Sequence, residues 1–504
     1  MKKSTSLLHC AAWLAAVLAL IPTVVSCGSS DGKTASDTTA AVTETAVETV
    51  DPNDRSQVKD SLPDDLDFDG RQFTVYVGNR TYNEDYIAGP EEETGEIVDD
   101  AVYQRNISVA ERLNVVIQAD SYDTSWNTVG PEVSKLVMAG DTTYDLFMGN
   151  QAGLAQLITE NCFVNAYDIE YLDFSQPWWN NEYMNELAVG EDFRYFLNGD
   201  YFISSLLWTR VVFFNKALYA NYWDNANELY EVVLDGKWTL DMMTNLAKEV
   251  YIDLNNNGMT DEEDQLGMCT YLAMSSSDGF VYGTDIAFTE RDADGYITLT
   301  LMSDDAVTLA EKLPAFFAQE GSFWKDVTGD AHNQTIFMNG KTLFMGNSAL
   351  SHAEALRDMK DDFGFLPYPK FDEEQESYRS LIHDAAMIGG VSNASMNLDM
   401  VGAVIEALCA ETYRSVTPVW YETALKVKYS RDDLSTQMID LIHDSATTNF
   451  IYAYNYALDG AGLLYRTLCT NNKTDYASAV KKIEKSATKK LDKIIEIFSG
   501  ALEN

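Results

Sequence analysis

The chain has 504 residues and a formal net charge of −44, from 79 acidic side chains against 35 lysines and arginines. That balance argues against nucleic acid as a partner, because phosphate binding needs a basic face. It argues equally against docking on anionic lipid, and reads as a solvated acidic surface.

Lys2 and Lys3, followed by a mainly apolar run over 7–25, read as an export signal spanning 1–27. Its end, Val24-Val25-Ser26-Cys27-Gly28, resembles the bacterial lipoprotein signal, which implies that Cys27 is lipidated and becomes the mature N-terminus. Residues 28–66, dominated by Gly, Ser, Thr, Ala, Asp and Glu, cannot bury a core and are expected to form a flexible tether. No later stretch approaches the ~20 apolar residues of a membrane span. The remainder of the chain is too long for one typical core, which predicts two lobes.

The folded part opens with a strand over 71–77, rich in β-branched and aromatic residues. Apolar residues at helical spacing predict a helix over 98–113, then a strand over 114–119, a helix over 130–139 and a strand over 144–148. This alternation predicts a parallel sheet with helices on its faces, and ligands sit beyond the carboxyl ends of such strands. Asn150, in the loop 149–151, is therefore a candidate contact. Strands are expected at 201–203 and 211–215, and a helix runs from Leu240 to about Val250 with Thr239 as its N-cap. Gly340 turns into a buried strand ending near Gly346, and 364–369 is a short strand closed by prolines. Beyond Ser392 the chain reads as mainly helical. Cys162, Cys269, Cys409 and Cys469 lack metal spacing and read as buried free thiols, with a Cys409–Cys469 bridge as the alternative.

Several segments recur in a meaningful order. They are Asp99-Asp100-Ala101-Val102-Tyr103 before Leu113-Asn114-Val115, then Tyr144-Asp145-Leu146, Phe213-Phe214-Asn215-Lys216 and Trp238-Thr239. Phe337-Met338-Asn339-Gly340-Lys341 and Pro367-Tyr368-Pro369 complete the set. Together they resemble the family-one extracellular solute-binding proteins, the sugar-binding components of ABC importers that include maltodextrin binders. The resemblance implies an α/β fold of the periplasmic-binding-protein type II: two lobes, each with a mixed or parallel sheet flanked by helices, hinged around a central cleft. By analogy lobe 1 takes 67–208 and 341–394, and lobe 2 takes 209–340 and 395–504. Crossings are expected near 208–210, 339–342 and 392–397. The implied partners are a small polar solute, a carbohydrate above all, and ABC permease subunits. A monomer without enzymatic activity, lipid-anchored on the extracellular face of the membrane, is expected.

The loop 253–264 is the sharpest chemical motif. Oxygen side chains recur at Asp253, Asn255, Asn257, Asp261 and Asp264, Gly258 stands at the turn, and Met259 offers a backbone carbonyl. This resembles an EF-hand loop, with Asp264 where a longer Glu is usual, as in dockerin-type loops. It predicts a structural Ca2+ held in the weaker extracellular range of about 10⁻⁴–10⁻³ M. The competing reading is an Asn/Gly-rich turn without metal.

A sugar offers C–H faces to aromatic rings and hydroxyl pairs to carboxylates and amides. That chemistry selects Trp178, Trp179, Asp278, Tyr282 and Asp384. The family resemblance adds Asn150, Trp208, Arg210, Asn347 and Trp420, at positions matching regions that contact ligand. No Gly-x-Ser-x-Gly, phosphate loop or His-x-x-x-His pattern appears. Asp384 with Asp285 is the pair to weigh for acid–base work on a glycosidic bond. A surface glycan-binding module without a transporter is a further alternative.

Overall fold

The computed structural model describes residues 55–78, 84–271, 274–421 and 433–501. The export segment, Cys27 and residues 28–54 of the expected tether lie outside them, whereas 55–66 pack against the first core through Val58, Leu62 and Leu66 and are no tether. The first sheet has the order Met387–Val391, Leu146–Asn150, Arg71–Gly78, Val115–Tyr122. Arg71–Gly78 runs parallel to both neighbours, and Met387–Val391 joins antiparallel. A central strand covered on both faces carries a continuous apolar run, and here every residue from Phe73 to Gly78 is buried. The helix Ile97–Leu113 buries Val102, Val109 and Leu113 at helical spacing and ends on Asn114, whose φ of 48° is a left-handed cap. The third strand starts two residues later than its pattern suggests, and Asp145 just before it ties neighbouring segments together. Its carboxylate accepts the Thr74 N–H at 3.0 Å and the Ser395 hydroxyl at 2.8 Å.

The second sheet has the order Phe363–Leu366, Arg210–Asn215, Thr342–Ala349, Leu266–Cys269, Ser322–Phe323. The first two pairings are antiparallel and the last two parallel. Thr239 caps Leu240–Glu249 as its sequence predicts, accepting the Met242 N–H at 3.3 Å.

Three further expectations from the sequence need correction. The strands Thr342–Ala349 and Phe363–Leu366 lie in the second sheet, so 341–394 does not return whole to the first lobe. Thr342–Ala349 is buried throughout, and its place between Arg210–Asn215 and Leu266–Cys269 is what covers it. Chain 395–411 also departs from its assignment. The helix Leu398–Glu411 packs Val401, Val404 and Leu408 into the first sheet's core with Val75 and Leu146, so the last crossing follows Glu411. Finally, 201–203 is no strand. It leads into the short helix Ser204–Leu207, and Tyr201 lies 4.9 Å from the buried Arg105 guanidinium.

The two lobes share apolar contact, since one cluster holds Phe147 of the first sheet with Phe214 and Phe344 of the second. Two further elements fasten them. The hairpin of Thr289–Arg291 and Ile297–Leu299 sends the Arg291 guanidinium to the carbonyls of Asn185 and Ala188 at 2.8 and 3.0 Å. The helix Tyr476–Ala501 begins with the Tyr476 hydroxyl on the Leu301 carbonyl, and Phe498 near its end packs on Phe193 and Tyr195. Cys162, Cys269, Cys409 and Cys469 are free and buried, so the Cys409–Cys469 bridge is not formed. Among the described residues no helix is long and apolar enough to cross a membrane.

Candidate functional site

The site grows from strand ends that face each other across the lobes. Asn150 closes the strand Leu146–Asn150, and its Oδ1 accepts the Gly153 N–H at 2.9 Å, capping the turn that comes next. Gln151 is fully buried, and its Oε1 accepts the Tyr183 and Thr448 hydroxyls. These bonds fix both amides, which leaves Asn150 Nδ2 and Gln151 Nε2 buried without an acceptor among the described residues. From the second sheet, Arg210 opens its strand at 2% exposure, with Nε equally unmatched. Beside it the register slips between Val211–Ser348 and Phe213–Met345, so Gly346 and Asn347 form a bulge. Bulges re-aim side chains. Asn347 takes φ of 52°, its N–H donates to the Tyr368 hydroxyl at 3.0 Å, and its Nδ2 is a fourth unmatched donor.

A charged centre lies among these donors. Asp278 accepts two bonds from Arg466, at 2.9 and 2.5 Å, a fork geometry that guanidinium favours. Asp384 stands 3.4 Å from His383 Nε2. Burial pushes the Asp384 carboxyl up to about 6 against the pull of Arg466. Burial, reinforced by Arg210 and Arg466, holds His383 well below the usual imidazole range, and burial lowers His352 to about 4. The Trp208 ring touches both, with centroid separations of 5.8 and 6.3 Å. With both imidazoles neutral at pH 7, Arg466 cancelled by Asp278 and Arg210 set against Asp384, the centre combines little net charge with many directed hydrogen-bonding groups.

Beside it opens a cavity of about 830 Å3 lined by Trp126, Asn127, Lys135, Gly153, Gln156 and Tyr456. Trp126 and Tyr456 stack at 5.2 Å and 23°, yet remain 49% and 40% exposed. Tyr456 also lies in the field of Asp384, Arg466 and Asp278, which ties the cavity to the charged centre.

Of the residues the sequence singles out, the fold brings together Asn150, Trp208, Arg210, Asp278, Asn347 and Asp384. Four others fall elsewhere, each for a packing reason. Trp178 and Trp179 are buried and donate their indole N–H groups to Glu406 at 3.1 and 3.0 Å. Tyr282 is buried with its hydroxyl on the Gly462 carbonyl, and Trp420 sits in an apolar cluster with Val416, Ile439 and Ile442. Gln151 belongs to the candidate loop 149–151, whereas the sequence pattern does not single out Trp126, His383, Tyr452, Tyr456 or Arg466. A signal existed for the last three: Tyr452, Tyr454 and Tyr456 alternate in one short run, and Arg466 is the single Lys or Arg between Arg431 and Lys473.

The loop 253–264 folds back on itself. Asp253 accepts the Asn257 and Gly258 N–H groups, Asp264 accepts those of Leu254 and Asp261, and Gly258 takes φ of 72°. The Asp261 carboxylate accepts the side-chain amides of Asn255 and Asn257. Met259 is exposed. Among the described residues no three His, Cys, Asp or Glu side chains group to hold a metal.

No family model matches the sequence. No curated protein matches it either. Among solved structures the chain is similar to an ABC transporter solute-binding protein from Thermotoga lettingae bound with alpha-D-tagatose. Identity is 12%, the match covers 84% of this chain and 100% of that one, and the TM-score is 0.52. It is also similar to an ABC substrate-binding protein from Listeria monocytogenes in complex with cycloalternan, at 12% identity, 84% and 100% coverage and a TM-score of 0.50. A maltose-bound MalE3 from T. maritima matches at 12% identity over 83% of this chain and 99% of that one, with a TM-score of 0.50. At such identity the likeness shows the fold. The chain has the two-lobed, type II α/β architecture of solute-binding proteins.

Proposed function

We propose that this chain binds a sugar between its lobes and delivers it to an ABC importer, held on the outer face of the membrane by a lipid on Cys27. The observation that carries the reading is the set of buried, unmatched donors on Asn150, Gln151, Arg210 and Asn347, converging from both sheets around a centre of little net charge. Buried donors without acceptors are costly, and the hydroxyl oxygens of a neutral polyol would match them. Asp384 and the Tyr452 hydroxyl, which accepts the Asp384 N–H at 3.2 Å, would take hydroxyl protons in return. Trp126, Tyr456 and Trp208 supply aromatic surface for C–H faces. An acidic or phosphorylated solute would need cationic excess, whereas Arg466 is committed to Asp278 and Arg210 lies in the field of Asp384. The lobes are taken to close by hinge motion, which presents a shape that a permease can distinguish.

Thermal-shift screening over neutral mono- and oligosaccharides, followed by calorimetry on any hit, tests the reading. A saturable rise in melting temperature with one class of sugar is expected. A screen in which neutral sugars have no effect while anionic solutes stabilise would overturn it. Trp208→Ala should weaken sugar binding at nearly unchanged stability. Trp420→Ala should instead cost about 3–5 kcal/mol in urea unfolding, as for a large buried aromatic, with affinity intact in the folded protein.

The same reading makes the chain a binder and no enzyme. Asp384 is half-buried in the centre while Asp285 is exposed, a poor match for two carboxylates flanking one bond. Incubation with the sugar that binds should return it uncleaved by chromatography.

We also propose Ca2+ in the loop 253–264, on the strength of its residue pattern, its left-handed Gly258 and the inward-turned Asp253 and Asp264. Millimolar calcium should raise the melting temperature, and a chelator should reverse the gain. A melting curve indifferent to both would leave the loop as an Asn/Gly turn.

A further inference from the structure

A second cavity, of about 260 Å3, lies where the chain passes between the lobes. Its walls come from every passage: Asn198, Asp200 and Thr209 from the first, Ile382 from the second, Thr417 and His443 from the third. It is separate from the cleft. Thr209 is bridged to Ile382 and runs straight into the strand Arg210–Asn215, so its side chain points opposite to that of Arg210, which serves the cleft.

The lining is a set of acceptors against an apolar wall. Asn198 is 1% exposed, and its Nδ2 donates to Ser205 Oγ at 2.7 Å and to the Met387 carbonyl at 3.2 Å. Turning that amide over would set two carbonyl oxygens together, so its orientation is fixed. Asn198 Oδ1 is then a buried acceptor with no donor among the described residues. Close in sequence, the Asp200 carboxylate accepts the Thr417 hydroxyl at 2.9 Å. Glu182 and Asp444 add carboxylates to the lining. The indoles of Trp178 and Trp179, with Phe202, Ile203 and Leu206, supply aromatic and aliphatic surface, and no lysine or arginine lines the cavity among the described residues. His443 does, with Nδ1 3.0 Å from Asp444.

We infer that this cavity binds a small aliphatic ammonium ion, its N–H groups on Asn198 Oδ1 and the Asp200 carboxylate and its short alkyl tail against Phe202, Ile203 and Leu206. A buried carbonyl oxygen in a lining that also carries carboxylates calls for a ligand that is all donor and positively charged. Burial pushes the Asp200 carboxyl up to about 6, against the pull of His443, Thr417 and Arg55, so it is ionised at pH 8.

The test is a titration of the full mature protein with butylammonium chloride at pH 8 and constant ionic strength, read by calorimetry and by tryptophan fluorescence. Saturable binding is expected with butylammonium and absent with 1-butanol or potassium chloride. Asp200→Asn keeps the Thr417 bond and should weaken butylammonium by about tenfold or more, the loss of a charge-assisted hydrogen bond. Equal binding of 1-butanol, undiminished affinity in Asp200→Asn, or no saturation at all would each overturn the inference. Should Asp200→Asn fail to fold, the comparison of butylammonium with 1-butanol on the unsubstituted protein decides alone.

Discussion

Arg466→Met is expected to destabilise the protein by about 3–5 kcal/mol, the usual cost of leaving one partner of a buried ion pair alone. Asp278 is 2% exposed at its side chain and takes both of its closest donors from Arg466. Methionine preserves much of the stem volume, so the loss reports the missing charge and its hydrogen bonds. Asp278 must then bind a proton or draw water inward. Adding Asp278→Asn to Arg466→Met removes the stranded carboxylate and should restore most of the stability. Sugar binding should stay lost in the double variant, since the charged centre is dismantled. Urea unfolding of the two single variants and the double gives the coupling directly. Additive effects would show that the pair is solvated in solution and that its burial does not matter.

The second large effect concerns pH and the glutamate beneath Trp178 and Trp179. Glu406 is fully buried and receives the two indole N–H groups and the Asp173 N–H. Burial nonetheless outweighs those donors and pushes its carboxyl up to about 8. A raised carboxyl binds its proton more tightly in the folded state than in the unfolded one. Stability is therefore fullest below the ordinary carboxylate range, falls as pH rises from about 4.5 to about 8, and levels beyond it. The accumulated loss is several kcal/mol, at up to about 1.4 kcal/mol per pH unit. Glu406→Gln carries no titrating proton, so its unfolding free energy should lack that descent. Subtracting one pH profile from the other cancels Asp200 and Asp384, which also titrate near 6. Parallel profiles for the two proteins would mean that Glu406 is ionised throughout.

The same residues show what the sequence could and could not convey. The alternation over 71–150 was legible because each element there carries its own period: the buried run Phe73–Gly78 and the 3.6-residue stripe of Val102, Val109 and Leu113. The cap at Thr239 was legible from residue type alone. Lobe membership after Gly340 was not legible in that way. A fully buried strand such as Thr342–Ala349 has no local feature that names its sheet, and its neighbours come from 210–215 and 266–269. The tryptophans failed for a related reason. Trp178 and Trp179 sit among prolines and asparagines, as a sugar platform would, but their partner Glu406 lies more than two hundred residues away in a helix that reads as wholly apolar apart from it and its ends. Polar members of the cleft were easier where they stand at or just past the end of an expected strand, as at Asn150 and Asn347. Arg466 lies in a short helix whose apolar spacing speaks of packing, and only its isolation from other basic residues marks it.

The helix Tyr476–Ala501 begins among second-lobe elements and ends with Phe498 against Phe193 and Tyr195 of the other half. Parting the halves therefore strips apolar surface from these rings whatever the cleft contains. These rings would then act as a latch, favouring the shut arrangement even before a solute arrives. Entry would then be governed by how frequently that latch yields, and a protein ending before Phe498 should take up solute faster and release it faster as well.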